Sequence, residues 1–210
     1  MELETIKKRR EIYAFLSRLF LEAPPEELAD DMVNGDFFTQ FESFVLNDEM
    51  KEGIKTVKQW VKNHSSVSQV QECLKDEFES LFVDPTQAVV TPYETKYVKG
   101  RTGEVLLRVK ETYLKAGLEK SEKCVETEDH IALELDFMKY LCDKEIENFE
   151  KEDFPKFLNL QKEFLKELLK WIPFVCKEIS VSEKASFYKG ISKIATGFLN
   201  YERSLLESGG

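Results

Sequence analysis

The sequence predicts an all-α fold, a single helical bundle of about nine helices, and three observations carry that expectation. Glycine and proline are scarce, 9 and 6 among 210 residues, and no glycine stands between Gly117 and Gly190. A chain of many short strands needs a turn residue about every 8–12 positions, which this composition does not supply. Apolar residues recur instead at helical spacing along nearly the whole chain. A chain of this length buries roughly 70% of its unfolded surface. A core rich in aromatic side chains, sixteen Phe among them, then needs no disulfide or metal to hold it.

Ile12, Phe15, Leu16 and Leu19 share one face of a first helix. The basic run Lys7-Lys8-Arg9-Arg10 before them resembles the head of an export signal. Glu11 and Arg18 interrupt the apolar run, however, and no small-residue cleavage site follows, so the segment reads as helix. Ala23-Pro24-Pro25 stops it, and Glu26 and Glu27 suit the first turn of a short second helix ending near Gly35. Phe37, Phe38, Phe41, Phe44 and Val45 give a third helix its aromatic face. Met50, Ile54, Val57 and Val61, with Trp60 beside them, mark a fourth. Ser68-Gln69-Val70-Gln71 has the form of a capping box ahead of the stripe Val70, Leu74, Phe78, Leu81.

Periodicity is lost from Asp84-Pro85 to Gly103, a loop (about 84–103) long enough to suggest a function. Helix resumes with Leu106, Val109, Tyr113 and Ala116, and Gly117 is placed to end it. Thr127 is the expected N-cap of the next helix, with Glu128 and Asp129 in its first turn. Its core stripe is Ile131, Leu135, Met138, Cys142, Ile146 and Phe149. Asp153-Phe154-Pro155 opens a long helix carrying Phe157, Phe164, Leu165, Leu168 and Ile172, expected to kink or break at Pro173. Ser180-Val181-Ser182-Glu183 offers a last capping box before Phe187, Ile191, Ile194 and Phe198. No repeat or composition break divides residues 1–210, which read as one domain.

Charge excludes some partners. The formal net charge is −10, and nucleic-acid affinity comes largely from Lys and Arg neutralising phosphates, so no nucleic acid is expected. The acids are unevenly placed: residues 22–52 carry −9, residues 126–153 carry −8, and the remainder +7. Such stretches are either solvated helical faces or a surface that steers a basic peptide. No stretch approaches the roughly 18 apolar residues of a membrane span. Cys73, Cys124, Cys142 and Cys176 stand far apart without a C-x-x-C, as reduced thiols of a cytoplasmic protein do.

The segment from Glu126 to Met138 is the most informative. On a helix, His130, Glu134, Phe137 and Leu141 form a second stripe beside the core stripe: either Asp129 suits the helix dipole and His130 is satisfied locally by Glu134, or His130 and Glu134 are free for recognition. His130 and Glu134 have a usable metal-ligand spacing. A di-iron bundle, however, needs two Glu-x-x-His motifs, and Thr127 and Val61 stand three positions before the only two histidines. Zinc lacks further ligands. No G-x-S-x-G, G-x-x-x-x-G-K or G-x-G-x-x-G is present to position a nucleophile or a phosphate. Neither an enzyme, a metal site nor a cofactor is expected.

Glu128-Asp129-His130-Ile131-Ala132-Leu133-Glu134-Leu135-Asp136-Phe137-Met138 resembles the E-x-D-H-x-x-x-E-L-x-F-M signature of the TorD/DmsD family, with Glu128 in place of the usual proline. Glu77-Phe78-Glu79-Ser80-Leu81-Phe82 is similar to that family's Y-x-x-L-F helix end. Thr91-Pro92-Tyr93-Glu94-Thr95-Lys96-Tyr97 resembles its P-P-Y-E-S-x-Y loop, and Tyr113 to Leu118 its Y-x-x-x-G-L. Members are cytoplasmic chaperones, related to NarJ, that mature molybdenum-containing redox enzymes. The resemblance implies an all-helical protein without catalysis that binds the twin-arginine signal peptide of a client. It would hold the apo-enzyme from export while the molybdopterin cofactor is inserted. It further implies that loop and Asp-His helix start shape the peptide site together. Pro92, Tyr93, Tyr97 and Phe137 are then expected to line an apolar groove, and Glu94, Asp129 and Glu134, with His130, to meet the arginines. Some members form homodimers by domain swapping, and guanine-nucleotide binding has been proposed; no phosphate-cradling loop is present here. The alternative function is a helical adaptor that binds a folded partner and has no role in export.

Overall fold

A computed structural model describes residues 1–84, 86 and 88–208 of the chain. It contains nine α-helices: α1 (Leu3–Leu21), α2 (Glu26–Asn34), α3 (Asp36–Glu42), α4 (Asp48–Lys62), α5 (Val67–Phe78), α6 (Thr102–Lys115), α7 (Ile131–Glu147), α8 (Phe154–Val181) and α9 (Phe187–Ser208). A π-helical turn, Glu79–Val83, extends α5, and a 3-10 turn, Glu94–Lys96, interrupts the long loop. Among the described residues no strand forms, and 73% of them are helical. Pro85, at the expected start of the loop, lies outside the described residues.

The helices gather into two compact units. One comprises Met1–Leu21, Pro92–Ile172 and the end of α9 from Leu205; the other comprises Glu22–Thr91 and Pro173–Ser204. In the first, α7 is the central element. Ile131, Leu135, Met138 and Cys142 are buried as expected. On one side α7 packs along α1, where the Ser17 hydroxyl donates to the Ala132 carbonyl at 2.8 Å. On another, Phe137 meets Tyr113 of α6 at 4.5 Å and Phe164 of α8 at 4.8 Å between ring centroids. Arg9, from the basic run at the chain start, is fully buried against Glu145 at 3.3 Å and Gln161 at 2.5 Å. A salt-bridged guanidinium inside a helix pair is far from the exposed head of an export signal.

The second unit is built on α4, α5 and α9. Trp60 packs on Phe187 at 5.4 Å and Phe78 on Tyr188 at 6.4 Å. Several helix ends follow the sequence closely. Gly35 ends α2 at φ 90°, its N–H bonded to Asp31. Gly117, at φ 79°, ends α6: its N–H bonds to the Leu114 carbonyl and that of Leu118 to Tyr113, the double closure that a left-handed glycine permits.

Other ends differ. The cap of α5 is Ser66 rather than Ser68, accepting from the Gln69 N–H at 3.2 Å while the Gln69 side chain accepts from the Ser65 N–H at 2.8 Å. The box Ser180 to Glu183 does not start α9. Glu77 does that work from 109 residues away: its carboxylate accepts from the N–H groups of Ser186, Phe187 and Tyr188 at 2.8, 3.1 and 2.7 Å. Burial raises the Glu77 carboxyl, and those three bonds oppose the rise. Pro173 does not break α8, which runs through it to Val181.

Small residues set the approach of α4 to α9. A Cβ on Gly190 would lie 2.5 Å from Val57 Cγ2 and 2.9 Å from the Gly53 carbonyl oxygen. Backbone cannot yield as a side-chain tip can, so Gly190→Ala should lower stability by roughly 1–3 kcal/mol, read as a lower urea midpoint. Gly103→Ala, where a Cβ meets nothing within 4 Å, should leave the midpoint unchanged or raise it by the equivalent of about 0.4–1 kcal/mol.

Candidate functional site

The loop after Thr91 and the start of α7 are locked together. The Ile131 N–H donates to the Pro92 carbonyl at 2.8 Å and the Glu94 N–H to the Asp129 carbonyl at 2.9 Å, an isolated antiparallel bridge between Tyr93 and His130. One carboxylate oxygen of Asp129 accepts from the Thr95 N–H at 3.2 Å and the Thr95 hydroxyl at 2.8 Å, and the other accepts from the Thr127 hydroxyl at 2.5 Å. The Tyr93 hydroxyl bonds Glu126, and its ring stands edge-on to His130 at 5.0 Å.

Thr127 therefore braces Asp129 and does not cap the helix. The cap is His130, in extended conformation, whose Nδ1 accepts from the Ala132 N–H at 3.2 Å. Accepting at Nδ1 requires a lone pair there, which assigns the proton to Nε2. Burial lowers the His130 pKa, against the pull of Glu126 and Asp129, and so keeps the ring neutral.

Expected exposure on the second stripe of α7 is overturned. His130 is 4% exposed, Asp129 1%, and Glu94, Glu134 and Phe137 are 0% exposed; Pro92 is buried too, while Tyr93 and Tyr97 are half-buried. The physical reason is the central position of α7: with α1, α6 and α8 all packed on it, a stripe beside the core stripe is interior as well. Phe137 thus belongs to the aromatic core rather than to a groove.

Glu134 and Glu94 meet inside. The Trp171 indole N–H donates to Glu134 Oε2 at 3.1 Å, and Arg108 Nη2 donates to Glu94 Oε1 at 2.5 Å. With both carboxyls ionised, Glu134 Oε1 and Glu94 Oε2 have no donor. One proton between them would satisfy both, and each carboxyl shifts the other. Burial, then the neighbouring Glu94, push the Glu134 carboxyl well up, so Glu134 holds the proton. Glu94 is raised by burial and pulled back by Arg108, and it carries the charge.

Beside this pair opens a cleft of about 470 Å³ lined by Glu94, Tyr97, Val98, Lys99, Val105, Arg108, Glu167 and Lys170. Arg108 bridges its two acids, with Nη1 3.4 Å from Glu167, which also holds Lys170 at 2.7 Å. Tyr97 stacks on Trp171 at 6.0 Å. Of the expected contact residues, only Glu94 and Tyr97 reach this cleft. Arg108, Glu167, Lys99 and Lys170 were not expected: no local pattern marks them, because they come together from α6, α8 and the loop. Among the described residues, no group of three or more His, Cys, Asp or Glu is placed to hold a metal, and no helix is long and apolar enough to cross a membrane. Of the four cysteines, Cys142 and Cys176 are buried, Cys73 and Cys124 half-buried.

The helical scaffold thus presents a partly apolar cleft walled by acid–base pairs. Comparison with known proteins gives the family. Residues 46–177 match the family model described as the nitrate reductase delta subunit. The chain is 25% identical over 205 residues to the chaperone protein TorD of Vibrio atlanticus (strain LGP32), covering 95% of each chain. It is 25% identical over 210 residues to the chaperone protein TorD of Photobacterium profundum, and 22% identical over 204 residues to that of Vibrio cholerae serotype O1 (strain ATCC 39315 / El Tor Inaba N16961). Coverage is 95% of this chain and 94% of the relative for Photobacterium profundum, and 96% and 93% for Vibrio cholerae. The chain belongs to the nitrate reductase delta subunit family, and the relatives it matches are TorD chaperones.

The shared proton makes stability depend on pH in a defined direction. A carboxyl raised above its unfolded value stabilises the fold fully below that unfolded value and loses the contribution as pH climbs through the folded one. Glu134→Gln imitates the protonated form and can still donate to Glu94. The melting temperature of Glu134→Gln relative to the parent should therefore rise between about pH 5 and pH 8. A difference that stays flat across that range means Glu134 is ionised in the fold.

Proposed function

We propose that this chain is a maturation chaperone of molybdenum-containing redox enzymes, acting in the cytoplasm by binding the twin-arginine signal peptide of its client. It then holds the apo-enzyme until the cofactor is inserted. The observation that carries this reading is the cleft of Glu94, Arg108 and Glu167 beside Tyr97, in a chain of the TorD-containing family.

A twin-arginine signal presents guanidinium groups followed by an apolar stretch. Glu167 is the acid best suited to receive a guanidinium: its side chain is 26% exposed, and its Lys170 partner is 56% exposed, so that pair is held weakly. An arginine making two parallel bonds to the carboxylate replaces a point-charge lysine favourably. Val98, Val105 and the Tyr97 ring offer the apolar wall. Asp129 and His130 act as positioning residues. They hold Pro92–Tyr97 in place, and through it Glu94 and Tyr97. The net −8 of residues 126–153 supplies steering toward a basic ligand.

Isothermal titration with an isolated twin-arginine signal peptide is the direct test, because an adaptor that needs a folded partner fails to bind it. Glu167→Gln and Tyr97→Ala should each weaken binding by about tenfold with little change in melting temperature. Asp129→Asn should lower both affinity and melting temperature. Replacing the arginine pair of the peptide by lysine should mimic Glu167→Gln. Unaltered affinity in Glu167→Gln and Tyr97→Ala places the peptide outside this cleft.

A further inference from the structure

In the second unit, α4 carries a feature of opposite sign to its surroundings. Lys51, Lys55, Lys58 and Lys62 follow one another at spacings of four, three and four. At about 100° per residue they fall within an arc of about 60° and run for about 16 Å along the helix. All four are exposed, and all line one cleft of about 770 Å³ with Val45, Ile54, Gln59, Glu42 and Glu52. Lys55 reaches Glu52 at 3.4 Å across a largely exposed pair, and Lys58 lies over the Phe38 ring at 5.5 Å. Lys51 and Lys62 have no carboxylate partner among the described residues. The buried face of α4 is Met50, Gly53, Ile54, Val57, Trp60 and Val61, with Ile54 at its edge also lining the cleft, so packing does not require these lysines.

We propose that this cleft is a second docking site, separate from the signal-peptide cleft, and that it receives an acidic amphipathic helix of a protein partner. Charge complementarity selects the occupant. Residues 22–52, which run into the start of this helix, carry −9, so an acidic partner is repelled beside the stripe and attracted along it, which fixes where it lands. Val45 and Ile54 provide an apolar floor for the partner's apolar face, and the lysine stems extend that floor while their ammonium groups meet flanking carboxylates. The lysine spacing matches the i, i+4, i+7 rows of a helix laid alongside. A polyphosphate backbone fits less well, because Glu42 and Glu52 stand within the cleft against an unbroken row of negative charge. A flat lipid surface cannot follow a concave wall.

The test uses the full chain and a fluorescein-labelled helical peptide of leucine and glutamate, with leucines at i, i+3, i+4 and i+7. Anisotropy should show saturable, salt-sensitive binding. Changing all four lysines to glutamine should weaken it by about tenfold or more while leaving twin-arginine peptide affinity and melting temperature unchanged. A peptide of the same composition with its leucines scattered should bind less tightly than the amphipathic one. Amine-reactive footprinting of the unaltered chain gives a second reading: bound peptide should protect Lys51, Lys55, Lys58 and Lys62 above the other lysines. Absent binding, equal binding by the glutamine variant, or protection elsewhere overturns the proposal. So does co-sedimentation with phosphatidylserine vesicles that the glutamine variant loses, or a monomer–dimer shift on that substitution, since each assigns the stripe a different occupant. The signal-peptide reading stands or falls separately, on Glu167 and Tyr97.

Discussion

Two buried carboxyls that cannot both ionise are the constraint around which the first unit is arranged. Glu94 and Glu134 are both fully buried, and two ionised carboxylates in contact inside a protein repel each other and forfeit hydration. The structure accommodates them by dividing the roles. Glu134, pushed well up by burial and by Glu94, keeps its proton and accepts the Trp171 indole N–H; Glu94 carries the charge and accepts from Arg108. Three helices and the loop supply those four side chains, so their positions are mutually dependent. Removing any one leaves a buried polar atom unpaired, which costs more than the bond itself contributes.

The cleft inherits its shape from that arrangement. Arg108 is fixed on Glu94 and so reaches Glu167 with its remaining nitrogen, and Trp171, fixed on Glu134, presents a face on which Tyr97 stacks. The wall residues nearest to solvent are thus oriented by groups that solvent never meets. A buried polar network of this kind confers geometry more than stability.

What the sequence disclosed follows from which interactions are local. Helix existence came through at all nine elements, because apolar spacing reports burial of one face. Val70, Leu74, Phe78 and Leu81, or Phe187, Ile191, Ile194 and Phe198, are buried as their spacing implies. Gly35 and Gly117 were readable because a left-handed residue is a property of the residue itself. What stayed hidden is long-range. No pattern near Ser180 tells that Glu77 caps α9, and nothing near Arg108 tells that Glu94 and Glu167 flank it. The misplaced stripe on α7 has the same origin: a polar residue at i+4 from a histidine looks like a solvated face until a third helix covers it.

That miscast stripe changes what the Asp-His segment is for. Each polar member of Glu126-x-x-Asp129-His130-x-x-x-Glu134 has an internal partner: Tyr93 for Glu126, Thr95 for Asp129, the Ala132 N–H for His130, Trp171 and Glu94 for Glu134. The segment is a lock between loop and helix, and Asp129, 1% exposed, is closed to a ligand's arginine. Loss of binding on altering Asp129 or His130 then has to travel through the 3-10 turn Glu94–Lys96, which links the lock to the cleft by only a few residues. A lock and a contact surface are separable on that ground. Substituting a contact residue leaves the loop where it is, whereas substituting the lock frees Pro92 to Tyr97 as a piece, moving Glu94 and Tyr97 together and with them both the charge and the aromatic wall of the cleft.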